Sequence, residues 1–98
     1  MIKKIVKVSY LIEVTIDETK FTDEFMEEFE KYMYPADLND HITNLAALTI
    51  ELDRTDLSKE YFIEGYGDPK EMGITTQILD EDSHIIDSDD YFYSKGKG

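Results

Sequence analysis

The chain contains no cysteine among its 98 residues. This absence excludes disulfide bonds, thiolate metal sites and cysteine nucleophiles, and it allows folding in a reducing compartment. Long apolar runs are also missing, since no stretch approaches the roughly 20 apolar residues that span a bilayer. The basic start is soon interrupted by Lys7, Ser9 and Glu13, which argues against a signal peptide. The sequence therefore predicts a cytoplasmic protein with no membrane partner.

Histidine is scarce, and only His41 and His84 are present. Neither has a second histidine four residues away, the spacing of a helical zinc site. A structural role at the surface or in a half-buried position is therefore predicted for both residues. No nucleophile–base pair and no set of metal ligands stands out elsewhere. The chain is predicted not to be an enzyme, with no catalytic residue, no cofactor and no metal ion.

Gly65-Tyr66-Gly67 is the stretch most similar to a phosphate-binding loop, but neither of the common glycine-rich signatures is present. The flanking Glu64 and Asp68 would also repel a phosphate group. Backbone geometry explains these glycines better, because glycine adopts conformations that other residues avoid.

Basic residues are few, with 10 lysines and arginines against 23 aspartates and glutamates, and the formal net charge is −13. Such a surface should repel nucleic acid and anionic lipid headgroups, so direct nucleic-acid binding is not expected. It should attract a basic partner and speed the encounter with it. The alternative is that the acidity only keeps a small protein soluble.

Residues 5–16 carry the clearest secondary-structure pattern, with apolar residues at alternate positions. Successive side chains of a strand point to opposite faces, so these residues would share one face of a long strand. The sequence therefore predicts helices that cover this face and further strands beside it. The predicted apolar face consists of Val6, Val8, Tyr10, Ile12, Val14 and Ile16.

Two helices are predicted to follow the strand. Thr22 is the predicted N-cap of the first helix, with Asp23 in the first turn, where an acid complements the helix dipole. This helix should end just before Pro35, because the residue preceding a proline disfavours the helical conformation. Asp37 is the predicted N-cap of the second helix. Its end is open, since residues 49–52 could continue the helix or begin an extended segment.

Short strands are predicted in the second half of the chain. Residues 61–67 form a strand candidate whose two glycines suggest a bulge or tight bend. Residues 74–79 alternate as a half-buried strand should. Residues 80–83 are predicted to be a loop, and residues 84–86 a last short strand or an extended arm.

These elements predict an α+β fold, a small antiparallel sheet of three to four strands with two helices packed on one face. The predicted element order is β-α-α-β-β. A single domain is predicted over residues 1–90, with a C-terminal tail at residues 91–98.

Acidic residues concentrate in two groups, one on the first helix and one in the final quarter. A calcium loop is not predicted there, because the sixth position lacks glycine whether the loop starts at Asp80 or Asp87. The two groups could share one surface, or they could lie on different faces and only be solvated. The predicted partner-binding residues, which include three aromatic residues as apolar anchors, are Asp23, Glu24, Glu27, Glu28, Glu30, Asp80, Glu81, Asp82, Asp87, Asp89, Asp90, Tyr91, Phe92 and Tyr93.

Small size, the absence of cysteine, a strongly acidic helix and an acidic end region resemble the DNA-mimic proteins of phages and mobile elements. These include anti-restriction proteins and some anti-CRISPR proteins. The resemblance lies in composition and charge layout across the whole chain. It implies a non-enzymatic inhibitor that binds a basic surface of a nucleic-acid-processing protein, such as a CRISPR effector, in place of nucleic acid.

Two alternatives stay open. The same acidity would suit an immunity protein or antitoxin that neutralises a cationic nuclease toxin. A self-associating structural module is the other, in which the first strand or the aromatic tail pairs with a second copy to give a homodimer. A neighbouring toxin gene would favour the former, and the latter requires a concentration-dependent dimer.

Overall fold

A computed structural model describes residues 1–86 of the chain. The main elements, in chain order, are β1 (Ile5–Thr15), α1 (Asp23–Tyr32), α2 (Leu38–Glu51) and β2 (Thr75–Ile86). Two single turns of 3-10 helix lie at Glu18–Lys20 and Leu57–Lys59. This element order confirms the first half of the prediction and shortens the second half by one strand.

The two strands pair as an antiparallel sheet, which confirms the α+β class. The predicted third and fourth strands are not found within residues 1–86. The candidate strand over residues 61–67 is a turn, in which Ile63 and Gly67 form an isolated bridge. Gly65 and Gly67 have φ angles of 90° and 77°, so the chain reverses here instead of extending. The predicted tight bend is therefore confirmed and the predicted strand is wrong.

β2 is longer than the sequence indicated. Residues 75–86 form one continuous strand, so the loop predicted over residues 80–83 is wrong. That prediction depended on the polarity of Asp80, Glu81, Asp82 and Ser83. All four side chains are exposed. Because both faces of this part of β2 meet water, polar side chains suit a strand here as well as they suit a loop.

Both predicted helix starts are confirmed. Thr22 Oγ1 accepts a hydrogen bond from the backbone N–H of Phe25 at 3.1 Å. Asp37 accepts one from the backbone of Asp40 at 2.8 Å, and the Asp40 carboxylate accepts one from the backbone of Asp37 at 2.9 Å. This reciprocal arrangement is a capping box. α2 continues to Glu51, so residues 49–51 extend the helix.

Residues Ile12–Ile78 form one compact unit, called the core unit below. Its buried cluster joins side chains from α1, α2 and the segments around them. Leu45, Leu57 and Ile74 have no exposed surface at all. Each side chain of this size contributes roughly 1.5–3 kcal/mol when it is fully buried. The cluster consists of Phe21, Phe29, Leu45, Leu57, Ile63, Tyr66 and Ile74.

A buried threonine fixes the start of β2 within the core unit. Thr76 Oγ1 accepts a hydrogen bond from the backbone N–H of Leu57 at 3.0 Å. It also lies 3.1 Å from Thr49 Oγ1. All three residues are buried. Buried polar groups are costly unless they are hydrogen-bonded, so these contacts favour one placement of β2 beside the Leu57 segment.

Met1–Leu11 and residues 79–86 form a second compact unit, called the ribbon unit below. Its strand segments have mostly exposed side chains. The predicted apolar face of β1 therefore has two environments. The half-buried members, in the core unit, are Ile12, Val14 and Ile16. The exposed members, in the ribbon unit, are Val6, Val8 and Tyr10. The prediction that helices cover the whole face is wrong for this first half within the described residues.

Residues 87–98 lie outside the described part of the chain. The prediction of one domain over residues 1–90 with a tail at residues 91–98 therefore stays a prediction. Within residues 1–86, neither α1 nor α2 combines the length and the apolar character that crossing a membrane requires.

Candidate protein-binding surface

α1 places five carboxylates on its solvent side. The helix is amphipathic, since Phe25, Met26 and Phe29 pack into the core unit while the acidic residues stay exposed. Residues three and four apart are neighbours on a helix, so the acids form two adjacent rows. The predicted acidic helix is therefore observed, with Asp23, Glu24, Glu27, Glu28 and Glu30 exposed together.

The spacing of these carboxylates is close to that of phosphates along one DNA strand. The ten residues of α1 span about 15 Å at about 1.5 Å per residue. Five carboxylates in that length give one negative charge per about 3 Å of axis. One strand of B-DNA carries one phosphate per about 3.4 Å. A cationic surface that follows phosphates would therefore meet a similar linear charge density on α1.

The carboxylates of α1 take no part in an ion pair within residues 1–86. In that part of the chain Arg54 forms an ion pair with Glu60, and His84 Nδ1 lies 3.9 Å from a carboxylate oxygen of Asp82. Lys31 is the one basic residue of α1, and its ammonium lies 5.3 Å from the centre of the Tyr32 ring. Folding of the described residues therefore leaves the acidic face of α1 without basic partners.

A groove of about 350 Å³ lies beside the acidic face. Its lining combines aromatic and thioether surface with two carboxylates, a combination that suits a side chain with an apolar stem and a cationic end. Tyr32 and Met33 are exposed there. The groove is lined by Phe25, Glu28, Phe29, Tyr32, Met33, Glu64 and Gly65.

Gly65 lets the turn approach α1 closely enough to form one side of this groove. A Cβ atom at Gly65 would lie 2.7 Å from Cε2 of Phe29, which is closer than real Cβ contacts allow. The turn is closed by two hydrogen bonds of 2.8 Å between the backbones of Ile63 and Gly67. Glu64 precedes Gly65 in this turn, so the hydrogen-bonded backbone holds Glu64 beside the groove.

A buried polar contact supports the same turn from the inside. Tyr66 Oη accepts a hydrogen bond from Asn44 Nδ2 at 3.0 Å and lies 2.9 Å from His41 Nδ1. The hydroxyl proton of Tyr66 is satisfied when it is donated to His41 Nδ1, which places the imidazole proton on Nε2. That Nε2 is buried and has no hydrogen-bond partner among the described residues.

His41 is fully buried, not at the surface or half-buried as predicted, and its structural role stays a prediction. Its ring centre lies 4.5 Å from that of Phe29, in an edge-to-face arrangement. Burial lowers the pKa of His41, although Asp40 and Asp37 oppose that shift. Burial also raises the pKa of the Tyr66 hydroxyl. Both shifts favour the neutral forms of the two side chains, since burial disfavours a charged group.

The second predicted acidic group is arranged differently. Asp80, Glu81 and Asp82 lie on β2, where successive side chains point to opposite faces. Asp80 and Asp82 therefore share one face of the strand, and Glu81 lies on the other. His84 Nδ1 is 3.9 Å from a carboxylate oxygen of Asp82. These three acids do not form the compact cluster that a loop would have allowed.

Six of the predicted binding residues lie outside the described part of the chain. They are Asp87, Asp89, Asp90, Tyr91, Phe92 and Tyr93. The idea that the acids of α1 share one surface with the acids of the final quarter stays a prediction. Among residues 1–86, no group of three or more histidine, aspartate or glutamate side chains is arranged to hold a metal ion.

The groove was missed by reasoning from the sequence, which predicted partner binding for only one of its lining residues, Glu28. The turn contributes Glu64 and Gly65, and the nearby sequence carries two exposed aromatic residues, Tyr61 and Phe62. The signal available in the sequence was a pair of adjacent aromatic residues followed by two closely spaced glycines. It did not reveal that the bend lies against Phe29, more than thirty residues earlier in the chain.

Comparison of the chain with protein-family models, curated proteins and solved structures finds no match. The site has therefore to be interpreted from its own geometry and charge.

Proposed function

We propose that this chain is a non-enzymatic acidic inhibitor that binds a basic surface of a nucleic-acid-processing protein, with α1 taking the place of a nucleic-acid strand. One observation carries the proposal: the five carboxylates of α1 are exposed together and take part in no ion pair within residues 1–86. A CRISPR effector is one target with a suitable cationic channel.

The physical basis is the exchange of one anion for another. Lysines and arginines that normally hold phosphates can hold carboxylates, and arginine forms especially strong paired hydrogen bonds with them. α1 is a capped helix packed on a buried core, so its charges need little ordering when they bind. The net charge of −13 adds long-range attraction that speeds association.

The groove beside α1 supplies the specific part of the contact. We infer that it receives an arginine or lysine side chain of the target. The stem would pack on the aromatic and methionine side chains, and the charged end would face Glu28 and Glu64. Buried anchors of this kind contribute more binding energy than exposed ion pairs at the rim.

The first test is capture of targets from a host-cell lysate with the purified chain as bait. Washing with buffers of rising salt should release a basic nucleic-acid-binding protein, because screening weakens contacts between exposed charges. Duplex DNA should compete for the same target. Recovery of a target whose binding is changed by neither salt nor DNA would contradict charge mimicry. Recovery of a nuclease toxin would indicate an immunity protein instead.

A matched pair of triple variants then locates the contact. Glu27, Glu28 and Glu30 are changed to glutamine in one variant. In the other, Asp80, Glu81 and Asp82 are changed to their amides, which removes the same number of charges. We expect the α1 variant to bind the captured target at least about tenfold more weakly, a loss of about 1.4 kcal/mol. Equal losses in both variants would show that only net charge matters.

A charge reversal tests the groove separately. Glu64→Lys places a cation at the groove and should repel an incoming arginine or lysine. Glu71→Lys makes the same charge change at an exposed position outside the groove lining. We expect the Glu64 variant to lose more affinity than the Glu71 variant. Equal affinities would remove the groove from the contact and leave the α1 face as the whole site.

A further inference from the structure

The ribbon unit exposes apolar side chains on strand β1. Val6 and Val8 are 52% and 51% exposed, and Tyr10 is 39% exposed. These three residues alternate along the strand, so they share one face. Within residues 1–86 the sheet contains only β1 and β2, so each strand has one edge without a partner strand.

Such an arrangement is unstable in isolation and open to further pairing. A two-stranded ribbon is marginally stable in water, and three or more strands with an apolar face are needed for independent stability. A long edge strand with exposed apolar residues is a template for pairing with another chain. The ribbon unit therefore has a physical reason to gain a third strand.

The two strands of the ribbon unit differ in local charge, and this difference disfavours pairing through β2. Met1–Leu11 carries three lysines and no acidic residue, whereas residues 79–86 carry three acids and no lysine or arginine. Pairing through two β2 edges would bring six carboxylates together. Two chains of net charge −13 repel each other, and the lysines of Met1–Leu11 offset part of that negative charge beside β1.

We propose that two copies of this chain associate through their β1 edges, in an antiparallel pairing with the two-fold axis at Val8. This register places Val6 opposite Tyr10 of the second copy and Val8 opposite Val8. The exposed apolar residues thus meet one another. Ile5 falls opposite Leu11, and Lys7 falls opposite Ser9, so no two lysines of the strand are opposed. An axis at Lys7 would instead place two lysines face to face.

The first test is sedimentation equilibrium of the full-length chain from micromolar to millimolar concentration. We expect a concentration-dependent dimer that becomes tighter as salt increases, because salt screens the repulsion between two acidic chains. This salt effect is opposite in sign to that expected for binding a cationic target, so the two proposals can fail independently. A monomer throughout the range would overturn the dimer.

Two substitutions locate the interface. Val8→Lys should weaken the dimer at least about tenfold, whereas Tyr61→Lys, at an exposed aromatic of the core unit, should leave it unchanged. Circular dichroism of both variants would establish that each has folded. A dimer that persists in the Val8 variant would overturn the proposed interface.

Cysteine cross-linking tests the register, because the chain has no cysteine of its own. Directly opposed residues of an antiparallel pair are about 4.5–5.5 Å apart at Cα, within the range that a disulfide bridges. Val8→Cys should therefore form an intermolecular disulfide rapidly. Leu11→Cys should not, since its counterpart in the second copy would lie roughly 20 Å away along the strand. Equal rates for the two variants would overturn the register.

Discussion

The same kinds of residue have different environments in the core unit and in the ribbon unit. In the core unit, Ile12 and Val14 are half-buried and the acids of α1 form one continuous exposed face. In the ribbon unit, Val6 and Val8 are exposed, and Asp80 and Glu81 point to opposite sides of β2. The apolar alternation of β1 passes through both units without a change in pattern.

A sequence pattern therefore specifies which face of an element could be buried, but not whether another element is present to cover that face. The core unit has two helices and a buried cluster to cover the face. The ribbon unit consists of strand segments with open edges among the described residues. Four predictions compare buried or crowded positions with exposed or open ones, in order of decreasing effect on the free energy of unfolding.

The largest contrast should come from the same substitution made in each unit. Leu45 has no exposed surface, whereas Leu79 is 52% exposed. Leu45→Ala should cost about 2–5 kcal/mol because it leaves a cavity, and Leu79→Ala should cost no more than about 0.5 kcal/mol. Urea unfolding followed by circular dichroism measures both. Similar losses in the free energy of unfolding for the two variants would contradict the difference in burial between the two units.

The turn beside α1 allows a comparison between two glycines. Gly67 has a φ of 77° and open space around it, so Gly67→Ala should cost about 1–2 kcal/mol from backbone strain alone. Gly65→Ala adds a clash with the buried Phe29 ring. Overpacking of this kind should lower the free energy of unfolding by a further amount of about 1–3 kcal/mol. Thermal and urea unfolding of the two variants should therefore rank Gly65→Ala as the less stable. The reverse order would contradict the close approach of the turn to α1.

Two adjacent threonines of β2 allow a comparison between a buried polar side chain and an exposed one. Thr76 is buried and accepts the backbone N–H of Leu57, while Thr75 is exposed. Thr76→Val should cost about 1–3 kcal/mol, because the Leu57 N–H loses its partner. Thr75→Val should change stability by no more than about 0.5 kcal/mol. Equal effects in urea unfolding would argue against the buried threonine contact.

The smallest effect should be a pH dependence from His41. Its pKa lies below the ordinary value of 6.5 because the ring is buried. As pH falls through 6.5, the unfolded chain takes up a proton before the folded chain does, so the free energy of unfolding should decrease. The lowered pKa values of Asp17 and Asp56 affect stability only below about their ordinary value of 3.8, outside this window.

Urea unfolding between pH 7.5 and pH 5 measures this dependence. His41→Gln should flatten it, while His84→Gln, at an exposed position, should retain it. A flat profile in the unmodified chain would show that His41 is not desolvated.

Local features of the fold could be predicted from the sequence because their causes are local. Thr22 and Asp37 cap the helices through residues only three positions away. The acidic face of α1 follows from the helical period alone. The contact of His41 with Tyr66 was not foreseen, because the two residues are 25 positions apart in the chain.

Features that depend on distant parts of the chain were missed. Polarity could not distinguish an exposed strand from a loop at Asp80–Ser83, since both present polar side chains to water. The groove requires Gly65 to lie against Phe29, and no pattern within either segment encodes that contact. The uncovered half of β1 was missed because its alternation is the same as in the covered half.

The salt dependence of the affinity for the captured target is the measurement that tests charge mimicry by α1 most sharply. It would be measured for the unmodified chain and for both triple variants. We predict tight binding that weakens steeply with salt, and a shallower dependence for the variant that lacks Glu27, Glu28 and Glu30. The variant that lacks the charges of Asp80, Glu81 and Asp82 should lose less affinity than the α1 variant and should keep more of the salt dependence. An α1 variant with unchanged affinity and unchanged salt dependence would contradict the account.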